Sequence, residues 1–282
     1  MRWLVTGAAG MLGTDVVDIL GAAGHEIRAV DLPELDITSP QQVDAEVRDI
    51  DVVLNCAAYT AVDNAETAEG LAFTINAVGP QLLARAARAA GARLVQISTD
   101  YVFDGSATEP YAATAPIAPR SAYGRTKAAG EWAVRAETDD YLVLRTAWLY
   151  GEHGGNFPKT IARFAGERDE LTVVDDQIGQ PTWTRDVADL ALRLVDAGAP
   201  SGTYHATSSG KCSWFDFARA VVSTAGHDPE KIKPTTSEAF VRPAPRPAWS
   251  VLDHGELETI GVRPIGPWEE RWAQAGAAVL GV

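Results

Sequence analysis

Short apolar runs alternate with amphipathic stretches through the first half of the chain. Arg2 to Thr6, Glu26 to Asp31, Asp51 to Asn55, Arg93 to Ser98 and Tyr141 to Thr146 are brief and rich in Val, Leu and Ile. Near-continuous runs of this kind suit strands buried on both faces. Between them, apolar positions recur at helical spacing over Gly10 to Ala23, Pro40 to Arg48, Ala68 to Ala90 and Tyr123 to Ala136. Strands separated by helices need crossover connections, which are right-handed and leave the strands parallel. The pattern predicts an α/β fold, a doubly wound parallel sheet with helices on both faces. Its functional groups should sit at the C-terminal ends of the strands.

Beyond Thr146 the rhythm breaks. Pro and Gly punctuate Glu152 to Pro158, Gln177 to Thr182 and Pro234 to Pro247. Arg242-Pro-Ala-Pro-Arg-Pro247 reads as extended, because proline fixes φ and lacks an N–H. One helix, Thr184 to Asp196, and one strand, Gly202 to Ala206, return to the earlier rhythm. The expectation is therefore a sheet domain, 1–150 with 183–206 returning to it, interleaved with a smaller C-terminal lobe from 151–182 and 207–282.

Composition narrows the partners. At 282 residues and 46% apolar, the chain can bury a sizeable core without disulfides. Lys and Arg number 24 against 38 acidic residues, a formal charge of −14, so nucleic acid is not expected as a partner. No apolar run approaches the roughly 18 residues of a membrane span, and no signal peptide is visible. A cytoplasmic protein that engages no membrane is expected, with Cys56 and Cys212 as reduced packing thiols. His25, His153, His205, His227 and His254 lack ligand spacing, and Asp139-Asp140 and Asp175-Asp176 read as solvated turns, so no metal site is assigned.

Candidate chemistry begins where the first strand ends. Gly7-Ala-Ala-Gly10-Met11-Leu12-Gly13 opens a helix. Glycines there let backbone N–H groups approach a pyrophosphate, and the helix N-terminus supplies partial positive charge. Asp31 ends the second strand near the roughly 20-residue offset at which an acid binds adenosine ribose hydroxyls. Leu32 and Pro33 follow it and supply no cation for a 2′-phosphate, which favours NADH over NADPH. Asn55-Cys56-Ala57-Ala58 offers small side chains beside a dinucleotide, although such residues also suit tight helix–sheet packing. Tyr123 and Lys127 share a helical face four residues apart, where an ammonium favours the phenolate and lowers the phenol pKa. Ser98-Thr99 can offer a hydroxyl to the same carbonyl.

These residues resemble the extended short-chain dehydrogenase/reductase family. Ser98-Thr-Asp-Tyr-Val-Phe-Asp-Gly105, Arg145-Thr-Ala-Trp-Leu-Tyr-Gly151, Asp176-Gln-Ile-Gly-Gln-Pro-Thr182 and Gly202-Thr-Tyr-His205 are similar to its dTDP-4-dehydrorhamnose reductase subgroup, as is Leu35-Asp-Ile-Thr38. The resemblance spans nearly the whole chain. It implies hydride transfer from NAD(P)H to the C4 ketone of a dTDP-4-dehydro-6-deoxysugar, with Thr99, Tyr123 and Lys127 in the catalytic positions. Cofactor contacts are implied for Gly7, Gly10, Met11, Leu12, Asp31, Asp36, Ile37, Ala57, Ala58, Tyr59, Tyr123 and Lys127. Substrate contacts are implied for Val62, Asp100, Tyr101, Trp148 and Arg246, and Asn76 matches a structural asparagine near the lysine. Trp249 stands where a small polar residue is expected. Some members form homodimers through magnesium and carboxylates, and a homodimer is a possible state here. Asp15 matches one such ligand, but Arg185 replaces another. Two rival functions fit the same chain: a nucleotide-sugar epimerase that retains NAD, and a non-enzymatic dinucleotide-binding regulatory subunit.

Overall fold

The strand–helix alternation resolves into one six-stranded parallel sheet in a computed structural model that describes residues 1–282. Its strands are β1 (Arg2–Thr6), β2 (Glu26–Val30), β3 (Val52–Asn55), β4 (Arg93–Thr99), β5 (Tyr141–Thr146) and a sixth, Gly202–His205. The spatial order is sixth, β5, β4, β3, β1, β2, so the chain reverses direction of travel between β1 and β3. A crevice forms at such a reversal, outside the carboxyl ends of the two strands.

Two layers of helices cover the sheet. Met11–Ala22 and Thr184–Asp196 bury Leu12, Val16, Val187 and Leu190 against Trp3, Val5 and Leu54 on one face. On the other, Pro40–Glu46, Gly79–Ala90 and Ala122–Glu137 bury Val43, Leu83 and Val134 against Leu4, Val53 and Leu94. The expected helix from Ala68 to Ala90 is interrupted. A π-helical turn, Thr74–Val78, separates Glu69–Phe73 from Gly79–Ala90. Pro80 has no N–H to give the Asn76 carbonyl, so the regular ladder cannot run through.

The second half adds its own core. Helices Phe157–Glu167, Trp214–Thr224 and Trp268–Leu280 enclose Tyr150, Ile161, Phe217, Val221 and Trp272, beside a parallel strand pair, Leu171–Val174 with Ile232–Thr235. A reciprocal cap between Ser213 and Asp216 starts the middle helix. The proline-rich run at 242–247 forms no helix or strand and crosses back to the sheet domain, where Pro247 Cα lies 2.6 Å from where a Cβ on Gly105 would be. No helix is long and apolar enough to cross a membrane.

One buried charge cluster fixes a helix to the sheet. Glu131, 0% exposed, accepts from Arg145 Nε at 2.8 Å and Nη2 at 2.7 Å, and from Ser98 Oγ at 2.6 Å. Burial alone would raise the Glu131 pKa, but the Arg145 and Ser98 hydrogen bonds outweigh it and hold the carboxyl below its usual range. Arg145 also donates to the Ala113 carbonyl at 3.0 Å. Glu131→Ala would leave a buried guanidinium without its counter-charge, a loss of about 3–5 kcal/mol. Glu167→Ala, which breaks the exposed Arg163–Glu167 pair, should cost less than about 1 kcal/mol. Urea unfolding of the two variants checks the contrast.

Candidate active site

Gly7 adopts φ +67° immediately after β1, and a Cβ there would stand 2.6 Å from the Ala57 nitrogen. Only glycine lets the turn lie this close to the strand leaving β3. Gly10 precedes helix Met11–Ala22 in an extended conformation and no side chain caps that end, so the first-turn N–H groups stay available to an anion. Asp31 closes the rim, accepting from Ala9 N at 3.0 Å and Leu32 N at 2.8 Å. Beneath the crevice, Thr6 donates to Asn55, whose amide donates to Gln96 at 2.8 Å, and Ala57 N donates back to Asn55 at 3.1 Å. This buried ladder sets the backbone at Ala57 and Ala58.

Other expected cofactor positions contribute differently. Leu12 and Ile37 bury their side chains in the core, and the Asp36 carboxylate accepts from Thr38 N and Oγ1, which leaves mainly backbone to meet a ligand. Met11 packs beneath the loop that follows Gly151, where Asn156 Nδ2 approaches its sulfur at 3.7 Å. Asn76 clamps both backbone groups of Tyr59, accepting from N at 2.8 Å and donating to O at 3.0 Å, and also donates to Thr126 on the helix that carries Lys127. Cys56 and Cys212 are free thiols, and burial pushes Cys56 up to about 12.

Thr99 ends β4, and helix Ala122–Glu137 presents Tyr123 and Lys127 beside it. Ser121 caps this helix by accepting from Gly124 N at 3.0 Å. Ser98 does not share the role expected of it, because its hydroxyl points into the core and donates to Glu131. Thr99 alone faces the phenol, and it donates to Asp100 Oδ1 at 2.8 Å. Asp100 is 3% exposed and its Oδ2 has no partner. Burial raises its pKa to about 6, with the Thr99 hydrogen bond opposing.

Burial dominates the surroundings of the phenol. Burial, and then the Asp100 carboxylate, push the Tyr123 pKa above its ordinary value of 10, with a Thr99 hydrogen bond opposing. The Lys127 ammonium donates to the Ile97 carbonyl at 2.6 Å, and burial lowers its pKa to about 8.

Around this centre stand the expected sugar contacts. The Tyr101 ring meets Tyr123 edge-on, 5.6 Å between centroids. Trp148 stacks on Trp214 at 3.6 Å, with 10° between planes. Its edge fills the space a Cβ on Gly179 would take, which explains glycine in the Asp176 to Thr182 segment. Val62 opens the short helix Val62–Ala65. Arg246 lines an open cleft of about 230 Å³ with Tyr101, Gly105, Arg120 and Pro247. Trp249 Nε1 donates to the Glu109 carbonyl at 3.0 Å, and its ring lies beneath the Lys211 ammonium. Asp15, Asp18 and His153 approach one another, and the Arg185 guanidinium lies 3.8 Å from Asp15 and 3.9 Å from Asp18.

The family model for the RmlD substrate binding domain matches residues 1–279. A dTDP-4-dehydrorhamnose reductase of Streptomyces griseus is 45% identical, the match covering 99% of this chain and 94% of that one. The chain belongs to the dTDP-4-dehydrorhamnose reductase family. A relative within it, a dTDP-4-keto-6-deoxy-D-glucose reductase of Streptomyces niveus, is 44% identical over 97% of this chain and 96% of its own. The crystal structure of a dTDP-4-dehydrorhamnose reductase from Bacillus anthracis in complex with NADP superimposes with a TM-score of 0.94 at 40% identity, covering 97% and 98% of the two chains.

Reductase-family motifs did not disclose every group at the site. Asp63 and Glu66 escaped the sequence reading, yet Glu66 accepts from Ala122 N at 2.8 Å at the start of the Tyr123 helix, and Asp63 holds Arg246. Their only sequence signal is two acids three residues apart beside Val62. For the cradle, Gly7→Ala should weaken dinucleotide binding at least tenfold, since the methyl group collides with the Ala57 backbone and the residue must hold a left-handed φ. Fluorescence titration with NADH, alongside a thermal melt to separate folding from binding, checks this.

Proposed function

We propose that this protein reduces the C4 ketone of a dTDP-linked 4-keto-6-deoxysugar with NADH, the rhamnose precursor being the first substrate to try. The observation that carries the reading is the convergence of Thr99, Tyr123 and Lys127 beside a glycine cradle at the strand reversal. Gly7, Gly10 and the uncapped helix end fit a pyrophosphate, and Asp31 fits ribose hydroxyls. When bound, the reduced nicotinamide supplies the hydride.

The chain's own residues supply the proton and the geometry. Burial keeps the Tyr123 phenol neutral, so its proton is present when negative charge develops on the C4 oxygen. Thr99 gives its hydrogen to Asp100, which leaves Tyr123 as the donor aimed at that oxygen. Lys127, held on the Ile97 carbonyl, would hold the cofactor ribose through its remaining N–H donors. Trp148 offers an aromatic surface to the sugar, while Val62, Asp100 and Tyr101 border its hydroxyls. Arg246 suits the diphosphate, because a guanidinium presents several N–H donors in a fixed fork.

Tyr123→Phe keeps the ring and removes the donor, so ligands should still bind while reduction slows roughly 10²- to 10⁴-fold. The assay follows NADH consumption and product formation in equal amounts. A wild-type protein that binds NADH but consumes none with any dTDP-4-ketosugar defeats the reductase reading. NADH should be preferred over NADPH, since Asp31 repels a 2′-phosphate and Leu32 and Pro33 offer no cation. The ratio of kcat/KM for the two cofactors decides, and a clear NADPH advantage overturns the preference.

A further inference from the structure

One acid behind the cleft residue Arg246 has no task so far. Asp63 sits in helix Val62–Ala65, directly after the segment leaving β3, and each of its carboxylate oxygens holds a piece of the distant lobe. Oδ1 accepts from Ala244 N at 3.2 Å, and Oδ2 accepts from Arg246 Nη2 at 2.9 Å. These partners are 181 and 183 residues away, so only the folded chain joins them. Arg246 Nη1 turns back to the Ala244 carbonyl at 3.3 Å. A guanidinium carries five N–H donors, so others remain for a ligand in the cleft that Arg246 lines.

Two effects of Asp63 on an anionic ligand oppose one another. Its charge repels a diphosphate, but the Asp63 and Arg246 side chains are 29% and 22% exposed beside an open cleft, where solvent and salt weaken that repulsion. Its hydrogen bond orders a long, flexible side chain before the ligand arrives, and that ordering cost would otherwise fall on binding. Solvent weakens the pair as well, but the pair is a direct hydrogen-bonded contact at 2.9 Å, and its ordering effect should prevail. The pair also lies near the chemistry, since Arg246 lines the same cleft as Tyr101, whose ring meets that of Tyr123.

We propose that Asp63 is a positioning residue for the substrate diphosphate, acting through Arg246. This rests on the reading of Arg246 as the diphosphate contact, and the experiment separates the two. Binding of dTDP, KM and kcat for the dTDP-ketosugar, and NADH affinity are measured for wild type, Asp63→Asn, Asp63→Glu, Arg246→Ala and the double variant Asp63→Asn with Arg246→Ala. Asp63→Asn and Arg246→Ala should each weaken dTDP and raise KM roughly tenfold, the scale of one charge-assisted hydrogen bond, with kcat and NADH affinity held. Asp63→Glu should recover part of the loss, and the double variant should be no worse than Arg246→Ala alone. Additive losses, or NADH affinity falling together with KM, would make Asp63 a structural strap and overturn the inference. If Arg246→Ala weakens dTDP but Asp63→Asn does not, the diphosphate reading stands and the positioning role fails. If Arg246→Ala leaves dTDP binding unchanged, both fall together.

Discussion

The buried Glu131 carboxylate is the constraint on which the candidate site depends. It receives hydrogen bonds from Ser98 on β4 and Arg145 on β5, and it belongs to the helix that carries Tyr123 and Lys127. A rigid helix transmits that anchorage along its length. At about 1.5 Å of rise per residue, Tyr123 and Lys127 lie within roughly 12 Å and 6 Å of it along the axis. Beside this anchor the helix rests on the sheet through the Lys127 hydrogen bond to the Ile97 carbonyl, Val134 and small residues, which together resist sliding less well. The ion pair is therefore better understood as setting register than as adding stability, since burying two charges consumes most of what their attraction returns.

The same burial that fixes the geometry sets the electrostatics. Tyr123 is held neutral because low-dielectric surroundings and the Asp100 carboxylate both oppose a phenolate. Lys127 loses solvation as well, and its ammonium is satisfied by a backbone carbonyl. A proton donor that stays protonated suits reduction, where negative charge must appear on substrate oxygen before the proton moves.

The two halves are joined by specific seams across the cleft. Tyr111 N donates to the Val251 carbonyl at 2.9 Å, Asp253 N donates to the Tyr111 carbonyl at 2.9 Å, and Trp249 N donates to the Gly105 carbonyl at 3.1 Å. Pro247 packs on the bare face of Gly105, so the segment after β4 and the proline-rich run can touch. Trp148, at φ +47°, is wedged between these parts against Trp214 and Gly179.

Much of the sheet was legible in the sequence, because the central strands are short runs buried on both faces and each crossover helix repeats its apolar positions. The glycine turn, Asp31, Thr99, Tyr123 and Lys127 were legible for a similar reason: their chemistry depends on local spacing within a turn, a strand end or a single helical face. The break in the helix around Asn76 was not read, although Pro80 announces it, because a π turn preserves nearly the same apolar rhythm. Other features were beyond reach of local pattern. Ser98 and Thr99 are adjacent and chemically alike, and only the pleat of β4 sends one hydroxyl to Glu131 and the other to Asp100. Lys127 lies four residues from the phenol, yet the Ile97 carbonyl holds its charge instead. Asp63 meets Arg246 across 183 positions. Spacing along one element is a property of the chain, but hydrogen-bond partners and solvation are properties of the space between elements, and these exist only once the chain has packed.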